Sequence, residues 1–525
     1  MSQLPDKRGM VVVVLVTACA LIGGALGAAG QSVRRADSQL VLVDVVVPGD
    51  EGTAGNLTVH DFRLLDRGDE QPITFFEAVS GAPDPATAID LPPGVTSNRR
   101  DHQGLVPASA TVILIDRVNT ETDAQIFIND ELLRHLEASG GRDGIAIYEL
   151  GSNLRVLYDF TDDPAGLIEV ARGLEPEHSL ALASSDSSGG FEAGLDSIGI
   201  DREFTDGIEG DPGFGRQSSD YFLNDRALRT SLALDAITRR LAGLEGRKNL
   251  IWLSGRFPFA FDARRRSDLA NEVENSTLIQ MENIGAGLID ANIAIYPVDV
   301  RGPGGEGADV GNIREHLAVR TGGRTFLSNG VGPAIETAMA DAETTYTLGF
   351  YPSEPVTDRG FRGLRVEVVD RPSLDVLHRE GYFGSPAEEP AVRVGVAEIL
   401  SSPLDATGIG LTAVVAASEG GAGPFQLIAA LDAQDLGLVS IGGRRLGVVD
   451  LALLFRAADD GTIFLLPTES QPVNLTEEQY QNSEAAFIIQ KVIDTEGRAG
   501  MLRVAVQDQK TGRAGSVWVP VGTDN

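Results

Sequence analysis

The sequence predicts an α/β protein with a doubly wound, mainly parallel sheet, flanked by a small β unit and followed by a C-terminal β-sandwich. Between residues 108 and 343, buried strands such as 247–253 and the continuously apolar run 111–115 alternate with helical patterns. This alternation is typical of parallel strands buried on both faces by crossover helices. From 391 to 525 the pattern changes to strands separated by glycine-rich turns, which favours a sandwich.

Changes in composition along the chain predict the domain boundaries. A chain of 525 residues is too long for a single hydrophobic core. A polar stretch rich in Pro and Gly indicates a linker, and one rich in Gly, Ser and Asp indicates a loop insertion. The predicted parts are a signal peptide (1–30), an N-terminal β unit (37–80), a linker (81–107), the α/β domain (108–343, with the insertion at 176–222), strands that pack with the N-terminal unit (344–385) and the sandwich (391–525).

The N-terminal segment indicates export. Lys7 and Arg8 precede an apolar run from Met10 to Ala29 that ends in small residues, as a cleaved secretory signal requires. We expect a periplasmic, cell-surface or secreted protein. Two alternatives remain open: the run is an uncleaved anchor, or Cys19, the only cysteine, is lipidated. Cleavage leaves a mature chain without disulfides.

The net charge of −33 restricts the classes of partner. Such a charge repels nucleic acid and anionic membrane surfaces. We therefore expect a protein partner, of unidentified type, and membrane contact only through the N-terminal segment if it is uncleaved or Cys19 is lipidated. The charge indicates either an ordinary solvated acidic surface or a role linked to cations.

Motifs of common enzyme classes are absent from the sequence. The six histidines have no zinc-ligand spacing, and there is no G-x-S-x-G elbow or phosphate-binding P-loop. The range Gly302–Gly307 fits G-x-G-x-x-G, but its proline and the lack of an immediate helix argue against a dinucleotide site. We therefore expect a protein that is not an enzyme.

Candidate binding residues follow the buried strands, because ligands of open α/β sheets bind beyond the carboxyl ends of the strands, where the strand order reverses. We call the loops at these ends, 116–120, 254–258 and 299–302, the carboxyl-end face. The candidates at or near this face are Asp116, Asn119, Thr120, Thr230, Ser254, Arg256 and Asp299.

Several segments in combination resemble von Willebrand factor A-related proteins of the type abundant in acidobacteria. The resemblance covers roughly residues 37–385 and is looser from 391 to 525. The matching segments are 57–62, Asp116 with Asn119 and Thr120, 246–255, 295–299, 321–326, 346–351 and 379–382.

The resemblance implies a metal-ion-dependent adhesion site, with hard oxygen ligands suited to Mg²⁺ or Ca²⁺. Asp116 matches the first position of the family's Asp-x-Ser-x-Ser loop and Thr120 the last, whereas Val118 offers no oxygen. Thr230 matches the second-loop threonine, and Ser254 stands where the family has an aspartate. The implied site is therefore incomplete.

Two interpretations of this degenerate site follow. Either Asp116, Thr120, Thr230 and Ser254 bind a divalent cation weakly, or Asp116 caps a turn or pairs with Arg117 or Arg256. In the second case the domain is a metal-free binding scaffold.

The sequence thus predicts an exported protein-interaction module of the adhesion type. We expect its partner to dock on the carboxyl-end face through Asn119, Arg256 and Asp299. The alternative is a structural component of a cell-envelope assembly that makes its contacts through the β-sandwich.

Overall fold

The computed structural model describes residues 40–47, 57–80, 91–99, 110–139, 144–160, 163–184, 212–244, 246–258, 282–301, 311–327, 330–353, 361–369, 371, 376–383, 395–417, 424–482 and 486–522. The predicted signal peptide with Cys19 and the Gly302–Gly307 motif lie outside these residues. None of the helices in the described ranges combines the length and apolar composition that a bilayer crossing needs.

The strands are numbered in chain order. They are β1 (Val41–Val46), β2 (Phe62–Asp66), β3 (Asp69–Gln71), β4 (Phe75–Ser80), β5 (Thr96–Ser97), β6 (Ala110–Asp116), β7 (Ile145–Leu150), β8 (Leu154–Tyr158), β9 (Lys248–Ser254), β10 (Ile293–Asp299), β11 (Phe326–Leu327), β12 (Thr344–Phe350), β13 (Phe361–Val368), β14 (Leu377–His378), β15 (Gly381–Phe383), β16 (Leu411–Ala417), β17 (Phe425–Asp432), β18 (Val439–Ile441), β19 (Arg444–Ala457), β20 (Ile463–Leu465), β21 (Glu469–Thr476), β22 (Ala486–Ile493), β23 (Gly500–Asp508) and β24 (Ala514–Val521).

The helices are numbered in the same way. They are α1 (Thr122–Ser139), α2 (Pro164–Arg172), α3 (Leu180–Ser184), α4 (Pro212–Leu241), α5 (282–290), α6 (Gly311–Thr321), α7 (Val331–Glu343), α8 (Val396–Ser401) and α9 (Glu477–Gln481). Short 3-10 turns occur at Val59–Asp61 and Ala433–Asp435.

The central sheet has the order β11-β10-β9-β6-β7-β8. Neighbouring strands from β11 to β7 are parallel, and β8 runs antiparallel to β7 at the edge. Counted along the six strands, this is the doubly wound order 3-2-1-4-5-6, which reverses between β6 and β9. The protein is therefore a mixed α/β protein with a mainly parallel central sheet.

Alternating residues of the central strands pack against helices on both faces. On one face, Leu114 and Trp252 pack with Leu234 and Ile237 of α4. On the other face, α1, α2 and α7 cover residues such as Ile113. Because β6, β7, β9 and β10 are buried on both faces, their sequences are mainly apolar rather than alternating.

A small β unit is formed by strands that precede the α/β domain in the sequence and strands that follow it. One sheet has the order β14-β1-β12-β4 and the other β15-β13-β2-β3. The N-terminal strands thus pair with strands that follow the α/β domain, and valines of β1 pack against aromatic side chains such as Tyr346 and Phe350. Arg379 donates to the carbonyl of Ile289 (Nη1–O 3.1 Å) and so ties this unit to α5.

The C-terminal residues form a sandwich of two antiparallel sheets. Their orders are β22-β17-β16-β5 and β18-β19-β23-β24, with β20 and β21 also paired to β19. The strand β5 corrects the prediction of a linker at 81–107, because Thr96 and Ser97 pair with β16. Asn98, which is 2 % exposed, donates to the carbonyl of Ile409 (Nδ2–O 2.9 Å) and fastens this segment to the sandwich.

Helix α4 corrects the predicted insertion at 176–222. The helix begins at Pro212 rather than near 227, and the short helix α3 also lies within the segment. The remaining insertion residues, 185–211, are outside the described ranges. Helix α7 has no predicted counterpart.

The sandwich docks on the C-terminal end of α4. Thr407 donates from its backbone N to Arg239 O (3.1 Å) and from its hydroxyl to Arg240 O (2.7 Å). Its Oγ1 also accepts from Gly243 N at 3.0 Å. The last carbonyls of a helix have no partner within the helix, so Thr407 satisfies two of them. Arg240 bridges the contact by pairing with Asp159 and Asp405.

We expect Gly243→Ala to loosen this contact. A Cβ on Gly243 would lie 2.0 Å from Thr407 O, and relieving such a clash costs about 1–3 kcal/mol. Hydrogen exchange of residues 402–409 should become faster and the thermal midpoint should fall. Gly363→Ala is the control, since nothing lies within 4 Å of its Cβ position; equal behaviour of the two variants would contradict the proposed docking.

Candidate functional site

The site lies at the carboxyl ends of β6 and β9, where the strand order reverses. Asp116 ends β6 and Ser254 ends β9, and the two residues are register partners in the parallel pair. Side chains of alternate strand residues share one face, so Asp116, Trp252 and Ser254 all lie on the side covered by α4. Thr230 reaches the same place from that helix.

The Asp116 carboxylate is fully buried and accepts several hydrogen bonds. Oδ2 accepts from Trp252 Nε1 (2.9 Å) and from the Ser254 hydroxyl (3.0 Å). Oδ1 accepts from Asn119 N at 3.2 Å. The Asn119 side-chain amide completes the set, with Nδ2 at 3.0 Å from Oδ1 and 2.8 Å from Oδ2. Both carboxylate oxygens are therefore occupied by donors from the chain.

The Asn119 carboxamide links the carboxylate to α4. Its Nδ2 also donates to Thr230 Oγ1 (2.9 Å), and its Oδ1 accepts from Arg226 Nε (2.8 Å). The arginine contact fixes which end of the amide faces Asp116, because a guanidinium can only donate. The Thr230 hydroxyl in turn donates to Arg226 O at 2.9 Å. All of these side chains are buried.

One further hydrogen bond, from Gly255 N to Thr120 Oγ1, holds the loop after β6 against the loop after β9. Thr120 Oγ1 donates to the Asp116 carbonyl and accepts from Gly255 N (2.9 Å). The Ser254 hydroxyl lies 2.7 Å from Arg256 O, so its proton is shared between this carbonyl and Asp116. Thr120 therefore fastens the loops and does not face the carboxylate.

Burial raises the pKa of Asp116 to about 6, since removal from water penalises the charged form. The hydrogen bonds from Asn119, Trp252 and Ser254, followed by the charge of Arg226, oppose this rise in pKa.

The structure corrects several predicted roles. Arg117 and Arg256 do not pair with Asp116: Arg117 pairs with Glu149 (Nε–Oε1 3.1 Å), and Arg256 pairs with Glu121. Among the residues predicted to contact a partner, Asn119 and Asp299 are buried, and Asp299 is held by two arginines, Arg301 and Arg314. Arg256, with 36 % of its side chain exposed, is the one of the three that presents its side chain to solvent.

Two residues of the Asp116 network, Trp252 and Arg226, were not predicted from the sequence. Their spacing from predicted site residues could have identified them: Trp252 precedes Ser254 by two residues on a strand, and Arg226 precedes Thr230 by four on a helix. Residues at these spacings share a face, so each lies beside a residue that was singled out.

The donor set does not fit Mg²⁺ or Ca²⁺. These ions take six or more oxygen ligands, at about 2.0–2.6 Å, whereas the implied ligands supply one carboxylate and the hydroxyls of Thr230 and Ser254 near it. Both carboxylate oxygens already accept from donors of the chain, and Asn119 Nδ2 lies between Asp116 and Thr230. Within the described ranges, no group of three or more His, Cys, Asp or Glu residues is placed to hold a metal.

Comparisons with known proteins find distant similarity among solved structures. No family model matches the chain, and no curated protein matches it. Among solved structures, the chain is similar to an aerotolerance-related membrane protein from Bacteroides fragilis carrying multiple mutations to serine, with 8 % identity and a TM-score of 0.24. The match covers 45 % of this chain and 98 % of that one. The fold described above stands on its own strand order and pairing.

We expect Asp116→Asn to change how stability depends on pH. The folded pKa of about 6 exceeds the ordinary 3.8, so protonation of Asp116 favours the folded state below pH 4, and this contribution disappears as pH rises through 6. Relative to the variant, the wild type should therefore lose about 3 kcal/mol between pH 4 and 7. Denaturant unfolding of both proteins across this range measures the difference; a constant difference would contradict it.

Proposed function

We propose that this protein is an exported protein-interaction module with a von Willebrand factor A-like α/β domain, and that its partner docks on the carboxyl-end face. The observation that carries the proposal is the buried Asp116 network, which fixes the loops after β6 and β9 from beneath. At their surface Arg256 pairs with Glu121, the residue directly after the first loop, and both side chains are exposed to solvent. A preorganised, charged loop surface loses little freedom on binding.

The described residues of this face favour binding over catalysis. Asp116 is saturated by donors, Glu149 is paired with Arg117 and Arg155, and Asp299 is held by two arginines. A general base must instead reach the proton it removes. The exported location rests on the basic and apolar N-terminal segment of the sequence.

Exchanging the charges of the exposed pair tests the face. Glu121→Arg combined with Arg256→Glu keeps the pair and the net charge but inverts the pattern that a partner meets. Electrostatic complementarity governs partner choice, so we expect recovery of the partner from an envelope extract of the producing organism to fall about tenfold, equivalent to about 1.4 kcal/mol. Quantitative mass spectrometry of the recovered proteins measures this.

The matched control exchanges the exposed pair Glu137–Arg172, whose atoms lie 2.7 Å apart. Glu137 is near the far end of α1, roughly 22 Å along the helix from the face. Equal recovery with both exchanged pairs, whether retained or lost, would contradict docking on the carboxyl-end face.

The second candidate function is a structural component of an envelope assembly that makes its contacts through the β-sandwich. The observation that favours it is on β20, where Ile463 and Leu465 are 58 % and 70 % exposed. Phe464 between them faces inward and lies beside Phe455, with ring centroids 6.1 Å apart. Exposed apolar side chains on an edge strand suit contact with another protein.

Lysine at both exposed positions, Ile463→Lys with Leu465→Lys, tests the second candidate. If the sandwich makes the contacts, this variant should lose the recovered partners while the Glu121–Arg256 exchange retains them. Ile441→Lys is the control, because Ile441 is similarly exposed, at 59 %, and pairs near the opposite end of β19, about 30 Å away. Retention of all partners by the double lysine variant would exclude the β20 surface.

A further inference from the structure

We propose that the Asn119 carboxamide, backed by the Arg226 guanidinium, is a built-in replacement for a cation at the carboxyl-end face. The face would then be formed permanently and would not respond to divalent metal ions. This inference concerns how the site is held together, and it stands whether or not the proposed partner docking is correct.

The first argument is the position of Asn119 Nδ2. This nitrogen lies 3.0 and 2.8 Å from the two oxygens of Asp116 and 2.9 Å from Thr230 Oγ1. It thus lies between the oxygens of two of the implied cation ligands, Asp116 and Thr230. Its two hydrogens serve both sides: the carboxylate on one and the threonine hydroxyl on the other.

The second argument is charge. A buried carboxylate needs compensation, because an isolated charge in a protein interior is strongly destabilising. Here the compensating charge is one step removed: Arg226 is 3 % exposed and donates through Nε to Asn119 Oδ1 at 2.8 Å. This bond polarises the carboxamide toward Asp116. The guanidinium, acting through the carboxamide, therefore stabilises the buried carboxylate as an ion among the same oxygens would.

The third argument is how the remaining oxygens are used. The Ser254 and Thr230 hydroxyls both act as donors inside the protein, to Asp116 and to Arg226 O respectively. Thr120 Oγ1 is turned to the backbone. A metal ion would have to displace these donors and the amide together, which makes entry of an ion unfavourable.

The decisive variant is Asn119→Asp, which keeps the size of the side chain and exchanges the N–H donors for an acceptor oxygen. Two buried carboxylates in contact disfavour one another, so in EDTA we expect the thermal midpoint to fall below that of the wild type. The same change completes a set of two carboxylates and two hydroxyls, so Ca²⁺ or Mn²⁺ in excess should raise the midpoint of the variant by about 3–10 °C. The wild type should shift by less than about 1 °C.

Asn119→Leu is the matched control. It removes the amide from the same position without supplying an oxygen, so its midpoint should also fall but should not respond to the ions. A saturable shift of the wild type that Asp116→Asn abolishes would overturn the proposal, because the native site would then bind a cation. An Asn119→Asp variant that is insensitive to the ions would overturn it as well, because the amide would not occupy the position of an ion.

Terbium luminescence provides a second measurement, which does not depend on whether the Asn119 variants fold. Trp252 Nε1 lies 2.9 Å from Asp116, so an ion bound to this carboxylate would be excited through the indole. We expect the same emission from wild type and Asp116→Asn, arising from the acidic surface alone. Additional emission in the wild type that Ca²⁺ competes away would overturn the proposal.

Discussion

The carboxyl-end face depends on one buried charge, the carboxylate of Asp116. Because this group is fully enclosed, each of its oxygens must be met by donors. The donors come from two separated parts of the chain: Asn119 in the loop after β6, and Trp252 and Ser254 on β9. Satisfying the carboxylate therefore brings β6, β9 and their following loops into one arrangement. Removing one partner of such a network leaves a buried polar group unpaired, which costs more than the hydrogen bond contributes.

Helix α4 extends this constraint to the rest of the molecule. Arg226 and Thr230, one turn apart, hold the Asn119 carboxamide. About 15 Å further along the helix, Arg239 and Arg240 offer their carbonyls to Thr407 of the C-terminal region. The geometry of the face and the docking of the sandwich are thus both set by one continuous helix.

The sequence predicts those elements whose signal is local. The runs 111–115 and 293–298 are continuously apolar because both faces of β6 and β10 are covered, and each strand extends about one residue further. Strand β5 had no local signal: its two residues pair with Thr412 and Ala413, more than 300 positions away. The start of α4 was hidden because Gly213 and Gly215 in its first turns are poor helix formers.

At the site, too, the sequence predicts the positions of residues but not the contacts between their atoms. Topology alone places Asp116 and Ser254 at the reversal of the strand order, so a sequence can mark both as candidates. The sequence identifies the residues whose oxygens approach each other, but it does not show whether an ion or a donor of the chain lies between them. A carboxamide can supply either an acceptor or donors, depending on how it is turned. Arg226 decides that an amide, and not an ion, lies here. Its guanidinium donates to Oδ1 of Asn119, which orients Nδ2 toward the carboxylate. A face held in this way has its charges balanced by the chain itself, so its shape is set by folding.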